Sequence, residues 1–142
     1  MARFSMILAL FAASVAFAAP APIRRADLAC SIDRAKIVIS LATTGIDVKK
    51  IDTTNPDTAK AVAAAKSALA SAGGGIATIA LSLISGGAPP ADARTQVQSG
   101  LKDAQTALTG ITDATVADSL ATAQSSLAAS IQDGDDVVKD CV

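Results

Sequence analysis

Residues 55–87, NPDTAKAVAAAKSALASAGGGIATIALSLISGG, carry the pattern that decides the fold. Val62, Ala65, Leu69, Ala72, Ile76, Ile79 and Leu83 recur at alternating spacings of three and four, the one-sided stripe of an α-helix. Asn55 is a capping residue type, Pro56 suits the first helical position and Asp57 belongs in the first turn. The stripe runs through Gly73-Gly74-Gly75, and each glycine costs a helix about 1 kcal/mol relative to Ala. A break there is the competing reading. A loop has no reason to hold heptad phase, however, so the pattern favours one helix from Pro56 to about Ser85, ended by Gly86-Gly87.

The same period extends outward on both sides. Upstream, the spacing predicts a helix from about Asp27 to Lys50 with Ile32, Ala35, Ile39, Ala42 and Ile46 on its inner stripe. Asp27 and Asp33 lie near its start and Lys49-Lys50 near its end, the signs that the helix dipole prefers. Downstream, Ala88-Pro89-Pro90 is a break, and Pro90 can open a third helix striped by Val97, Leu101, Ala104, Leu108 and Ile111. A turn near Gly110 to Asp113, with Thr112 or Asp113 as cap, leads to a fourth. Its stripe is Val116, Leu120, Ala123, Leu127, Ile131, Val138 and Cys141. Short joins imply antiparallel neighbours. The expectation is an all-α, up-down-up-down four-helix bundle of long Ala-rich helices.

The two cysteines fit that topology. With an even number of antiparallel helices, the start of the first and the end of the last share one end of the bundle. Cys30 and Cys141 can then meet at the α-carbon separation of about 4.4–6.8 Å that a disulfide needs. Two free thiols are the alternative. A loop of about 110 residues contributes on the order of 4–5 kcal/mol in the chain-entropy account, against a domain stability of about 5–15 kcal/mol.

The N-terminus reads as a targeting segment. Arg3 supplies the positive region, Met6 to Phe17 an apolar run too short to span a bilayer, and Ala16-Phe17-Ala18 a small-residue cleavage site. Residues 1–18 are therefore expected to be a signal peptide. Residues 19–25 form a short propeptide ending in the dibasic pair Arg24-Arg25, which suits a kexin-type protease; an incidental Arg pair is the alternative. Residues 26–142 are the single bundle domain. No second apolar run of membrane length is expected, which implies a secreted, soluble or wall-associated product that is not transmembrane.

Removal of the leader changes the chemistry available. All three Phe and both Met precede residue 26, so the remaining 117 residues hold no aromatic, Met, His or Glu. Nine Lys/Arg face thirteen Asp there, a formal charge of −4. An acidic chain without aromatic side chains offers neither the basic footprint nor the stacking platforms that nucleic acids require. A core of Leu, Ile, Val and Ala is thin for its length, and a covalent staple helps such a core in an exported protein.

Catalysis has few candidates. No histidine can act as a general base, and neither a Ser–His nor a Cys–His pair can be assembled. Lys66-Ser67 is the nearest approach to Ser–Lys chemistry, but adjacent helical residues point about 100° apart. Asp133-Gly134-Asp135-Asp136 is a weak match to a calcium loop, because an EF-hand closes with a bidentate Glu; a solvated acidic helix face is the better reading. No enzyme, cofactor site or metal site is expected. Sugar platforms are lacking, and Asn55, the one Asn after the leader, is not in a glycosylation sequon. Thr43-Thr44 and Thr53-Thr54 remain open to O-glycosylation. What is left is apolar helix surface. Ala61 to Ala72 and Gly73 to Gly75 allow close helix approach, or else a groove for an acyl chain lined by Leu69, Ile76, Ile79 and Leu83. A third possibility is a thin bundle that opens on a hydrophobic surface.

Three motifs, Ala-Asp-Leu-Ala-Cys-Ser-Ile-Asp-Arg at 26–34, Gly-Ile-Ala-Thr-Ile-Ala-Leu at 75–81 and Pro-Pro-Ala-Asp-Ala-Arg at 89–94, join the leader, the dibasic site and the aliphatic heptads. Together they make the chain resemble the fungal hydrophobic surface binding protein A family, with which the cell wall galactomannoproteins are grouped. The resemblance implies a secreted helical bundle that adsorbs to hydrophobic surfaces, recruits a secreted polyester hydrolase or wall component, or holds a fatty acid. The terminal Cys pair departs from that pattern, and a locked bundle is expected to open less readily. The alternative is a structural or effector-like secreted interaction protein with no small ligand.

Overall fold

The computed structural model describes residues 25–141, so the cleavage residues Ala18 and Arg24 lie outside the described residues, and Arg25 is the first residue of the first helix. The described residues form four α-helices and one short 3₁₀ turn: α1 Arg25–Lys49, α2 Pro56–Ile84, α3 Ala91–Thr109, the turn Ala114–Val116, and α4 Ala117–Asp140. This is the all-α four-helix bundle closed by a Cys30–Cys141 disulfide, with the Cys α-carbons 4.9 Å apart.

α2 begins where its sequence dictates. The Asn55 side chain accepts from the amides of Asp57 at 2.9 Å and Thr58 at 3.4 Å, while Pro56 occupies the first turn, where its missing N–H is no loss. The helix continues unbroken through Gly73-Gly74-Gly75 and stops at Gly86, whose φ of +78° is the left-handed conformation that a glycine adopts without strain. The amides of Ser85, Gly86 and Gly87 close on Leu81, Leu83 and Ser82 carbonyls. α4 is preceded by the 3₁₀ turn, whose cap is Asp113, accepting from the Thr115 amide at 2.9 Å.

The four helices form a ring in which α1 neighbours α4 and α2, and α3 neighbours α2 and α4. Two of those contacts are intimate, α1 with α4 and α2 with α3; the other two are sparser. The α2–α3 pair is drawn together by glycines. A Cβ on Gly75 would stand 2.7 Å from the Ala93 carbonyl oxygen, and one on Gly100 would stand 2.7 Å from that of Ala68, so neither position has room for a side chain. The α1–α4 pair is held by the disulfide and by polar groups. Ser126 donates to Asp47 Oδ2 at 2.6 Å, and the Thr44 and Ser130 hydroxyls, both fully buried, are 3.0 Å apart. Thr44 is thereby enclosed, while Thr43, Thr53 and Thr54 remain exposed.

The loops Lys50–Asn55 and Gly110–Asp113 lie at one end of the bundle (the loop end). The disulfide and the α2–α3 connection lie at the other, the disulfide end. Of the largest fully buried side chains, Leu108, Leu127, Val48, Val62 and Thr44 sit in the half nearer the loop end, and Ser130 lies near the middle of α4.

Candidate hydrophobic interaction surface

The inner stripes expected for α2 and α3 face the core. Val62, Ala65, Leu69 and Ala72 are buried on α2, and so are Val97, Leu101, Ala104, Leu108 and Ile111 on or just after α3. The stripe expected for α1 does not. Ile32, Ala35, Ile39, Ala42 and Ile46 are all exposed, with Ile39 66% open to solvent. The buried face of α1 is instead Cys30, Asp33, Ile37, Thr44, Asp47 and Val48, continued by Ile51. On α4, Val116, Ala123 and Leu127 are buried as expected, but Val138 is exposed and Val137 packs against the core in its place.

The reason for the α1 reversal is physical. α1 has two possible inner faces, one more apolar and one carrying Asp33, Thr44 and Asp47. α4 presents Ser126 and Ser130, which match the polar face hydrogen bond for hydrogen bond. Each buried carboxylate is also paired with a lysine three residues on, Asp33 with Lys36 at 2.9 Å and Asp47 with Lys50 at 2.8 Å. The Lys36 ammonium holds the Asp33 carboxyl below its ordinary range against the opposing effect of burial. The Lys50 ammonium, then the Ser126 hydroxyl, do the same for Asp47. Burial of these carboxylates is therefore tolerable because they are satisfied.

A usable signal was present in the sequence. Cys30 must face α4 to reach Cys141, and a residue two further on points about 200° away. Ile32 and its heptad partners Ile39 and Ile46 thus belong on the outer face once the disulfide is granted.

The result is a continuous exposed row on α1, Leu28, Ile32, Ile39 and Ile46 with Val38 beside it. It spans about 27 Å from residue 28 to residue 46 at 1.5 Å per residue. Leu81 and Ile84 at the end of α2 and Val138 on α4 add exposed aliphatic groups, at 69%, 84% and 63% exposure. Because Gly75 stands against Ala93 and Val97, the last turn of α2 runs past the start of α3 and has no α3 partner there. Leu28, Ile32, Leu81, Ile84 and Val138 therefore gather at the disulfide end. Exposed apolar groups concentrated in one region mark interaction sites on proteins in solution when they form a patch.

Leu69, Ile76, Ile79 and Leu83, the candidate acyl-chain lining, share one face of α2. Leu69 is buried, and the other three are half-buried. Two depressions lie elsewhere. One of about 370 Å³ at the loop end is bordered by the polar Asp52, Thr54, Asn55, Asp113 and Thr115 together with Pro56 and Val116. There the Thr54 hydroxyl and amide hold the Asp52 carboxyl below its ordinary range, and those of Thr115 do the same for Asp113. These carboxylates cap their own turns. The second, about 330 Å³, is a shallow groove between α1 and α4 that adjoins the exposed row at Ile39 and is flanked by Lys36 and Asp133.

The remaining candidate groups are placed as follows. Lys66 and Ser67 are exposed neighbours on α2. Asp133-Gly134-Asp135-Asp136 is continuous helix within α4, not a loop. Among the described residues no three His, Cys, Asp or Glu side chains converge to hold a metal ion.

One expectation needs correcting. α2 is long and apolar enough, by length and composition, to cross a membrane. Ala, Leu and Ile supply that apolar character, and no charge falls between Lys66 and Asp92.

Comparison with known proteins supplies no family for this surface: no protein-family profile, no characterised protein and no solved structure matches the chain.

Proposed function

We propose that this is a secreted, non-enzymatic protein of the fungal cell wall or exterior that binds hydrophobic surfaces or lipids. The observation that carries the reading is the solvent-facing row Ile32, Ile39 and Ile46 on α1, flanked by Leu28 and Val38. Transferring such groups from water to an apolar phase is favourable at roughly 25 cal/mol per Å² of apolar area, and the row is available without unfolding. A formal charge of −4 after the leader argues for an uncharged surface over an anionic one. The disulfide suits an oxidising, extracellular setting. We read α2 as a bundle helix and not a membrane span, because Gly75 and Gly100 fit it closely to α3.

Two experiments test the reading together: depletion of the folded protein onto alkyl-coated beads, and retention of a fluorescent fatty acid. Adsorption or retention at micromolar protein is the expected result. Failure of both would sink it.

A structural or effector-like interaction protein is the second reading, and Gly45 is what favours it. This glycine near the C-terminal end of α1 borders the exposed row, and a Cβ there would meet nothing within 4 Å. Its smallness serves no contact inside the bundle and would let a partner's helix approach closely. Recovery of one specific protein by pull-down, with no bead adsorption, would select this reading.

A further inference from the structure

The bundle is two leaves. One leaf is α1 with α4, joined by the disulfide, the Ser126–Asp47 hydrogen bond at 2.6 Å and the Thr44–Ser130 contact at 3.0 Å. The other is α2 with α3, wedged backbone to backbone at Gly75 and Gly100 and tied by the Gln96 side chain to the Ser71 carbonyl at 3.0 Å. Between the leaves the packing is sparser.

The covalent links are distributed unevenly along that seam. The loops that pass from one leaf to the other, Lys50–Asn55 and Gly110–Asp113, are both at the loop end. At the disulfide end, the Cys30–Cys141 bond lies wholly inside one leaf and the α2–α3 connection wholly inside the other. No covalent bond among the described residues bridges the seam there. Polar ties follow the same division. Two hydrogen bonds that reach across, Thr58 to Asp113 at 3.2 Å and Gln124 to the Leu108 carbonyl at 3.3 Å, sit by the loops. Away from the loops the leaves meet through aliphatic side chains, such as Leu41 beside Gly73 and Leu101 beside Gly134. Leu41, Ile76, Ile79 and Val137 are only partly covered.

From this distribution we infer that the two leaves part at the disulfide end as rigid pairs, hinged on the loop end, when the protein meets an apolar phase. The disulfide does not oppose this motion, since it holds one leaf together and never crosses the seam. Opening trades aliphatic contacts between leaves for aliphatic contacts with the new phase, so the hydrophobic term is nearly conserved. The hydrogen-bonded loop end stays shut. The role of the motion in adsorption rests on the proposed function; the motion itself does not.

Spin-label pairs at exposed positions read the motion directly. Ala35 with Ala80 spans the seam at the disulfide end, Lys49 with Ala64 spans it at the loop end, and Ala35 with Lys139 lies within one leaf. Each residue is replaced by labelled Cys with the native disulfide intact, and circular dichroism verifies retained helix. Distances are measured in buffer, in dodecyl maltoside micelles and on alkyl-coated beads. The first pair lengthens by more than a helix diameter, about 10 Å, in micelles or on beads, and the other two hold. Lengthening in micelles without bead depletion supports the hinge and refutes the surface reading. Bead depletion with the first pair unchanged in both media refutes the hinge and leaves adsorption to the outer row of α1. No lengthening anywhere, or lengthening of all three pairs together, also refutes the hinge.

Discussion

The loop end and the disulfide end of this bundle solve the same problem differently. At the loop end Val48, Val62, Leu108 and Leu127 expose 1% or less of their surface, and Asn55 and Asp113 cap the incoming turns. At the disulfide end Leu28, Leu81, Ile84 and Val138 remain more than half exposed, and one covalent bond stands in for the missing packing. An Ala-rich bundle with no aromatic residue after Arg25 lacks the volume to fill helices of about 28–44 Å evenly, at about 1.5 Å per residue. It fills one half densely and leaves the other thin. The difference teaches that the disulfide and the exposed aliphatic groups belong together, the first making the second tolerable.

The largest expected effect comes from removing that bond. Cys30→Ser with Cys141→Ser should cost about 4–5 kcal/mol by loop-closure entropy, read as a lowered urea midpoint. A loss near zero would mean that the disulfide end packs better than described. Next, Leu127→Ala at the loop end should cost about 2–5 kcal/mol, while Ile84→Ser at the disulfide end should stay within about 0.5 kcal/mol. Equal losses at the two positions would erase the contrast between the ends.

Glycines sharpen the distinction on a smaller scale. Gly100→Ala forces a Cβ to within 2.8 Å of the Ala72 amide nitrogen, and overpacking of this kind costs about 1–3 kcal/mol. Gly45→Ala meets nothing and should stabilise by about 0.4–1 kcal/mol. Thermal denaturation of the two variants should move in opposite directions.

The smallest effect is titration. Asp33 and Asp47 have carboxyls held below their ordinary value of 3.8, chiefly by Lys36 and Lys50 respectively. A depressed folded-state value means that the stabilisation is present above the unfolded value and disappears as pH falls through the folded one. The urea midpoint should therefore be flat near neutrality and decline below about pH 4. Asp47→Asn should flatten that decline, and an unchanged decline would remove Asp47 from the account.

Much of this was legible in the sequence, and the part that was not has a definite cause. α2 and α3 were readable because each has one apolar face and their partners ask for nothing else. Even Gly73-Gly74-Gly75 stayed helical in phase. α1 was not, because apolar periodicity selects the most hydrophobic stripe, whereas the buried face here is chosen by complementarity with Ser126 and Ser130 on another helix. That complementarity is long-range and invisible to a local pattern. The exposed surface was misassigned for the same reason, since Ile32, Ile39 and Ile46 looked like core. The disulfide was legible from topology, but its lying inside one leaf was not, because helix pairing strengths depend on contacts such as Gly75 against Ala93.

The outer row of α1 bears most directly on the proposed function. Ile32→Ser, Ile39→Ser and Ile46→Ser, combined in one variant, change only solvent-facing positions and should leave the thermal midpoint nearly unmoved. The decisive measurement is the fraction of wild-type and triple-variant protein depleted from solution by alkyl-coated beads. The account predicts strong depletion of the wild type and at least a tenfold weaker apparent affinity for the variant, a difference of about 1.4 kcal/mol. Equal adsorption of the two proteins would contradict it.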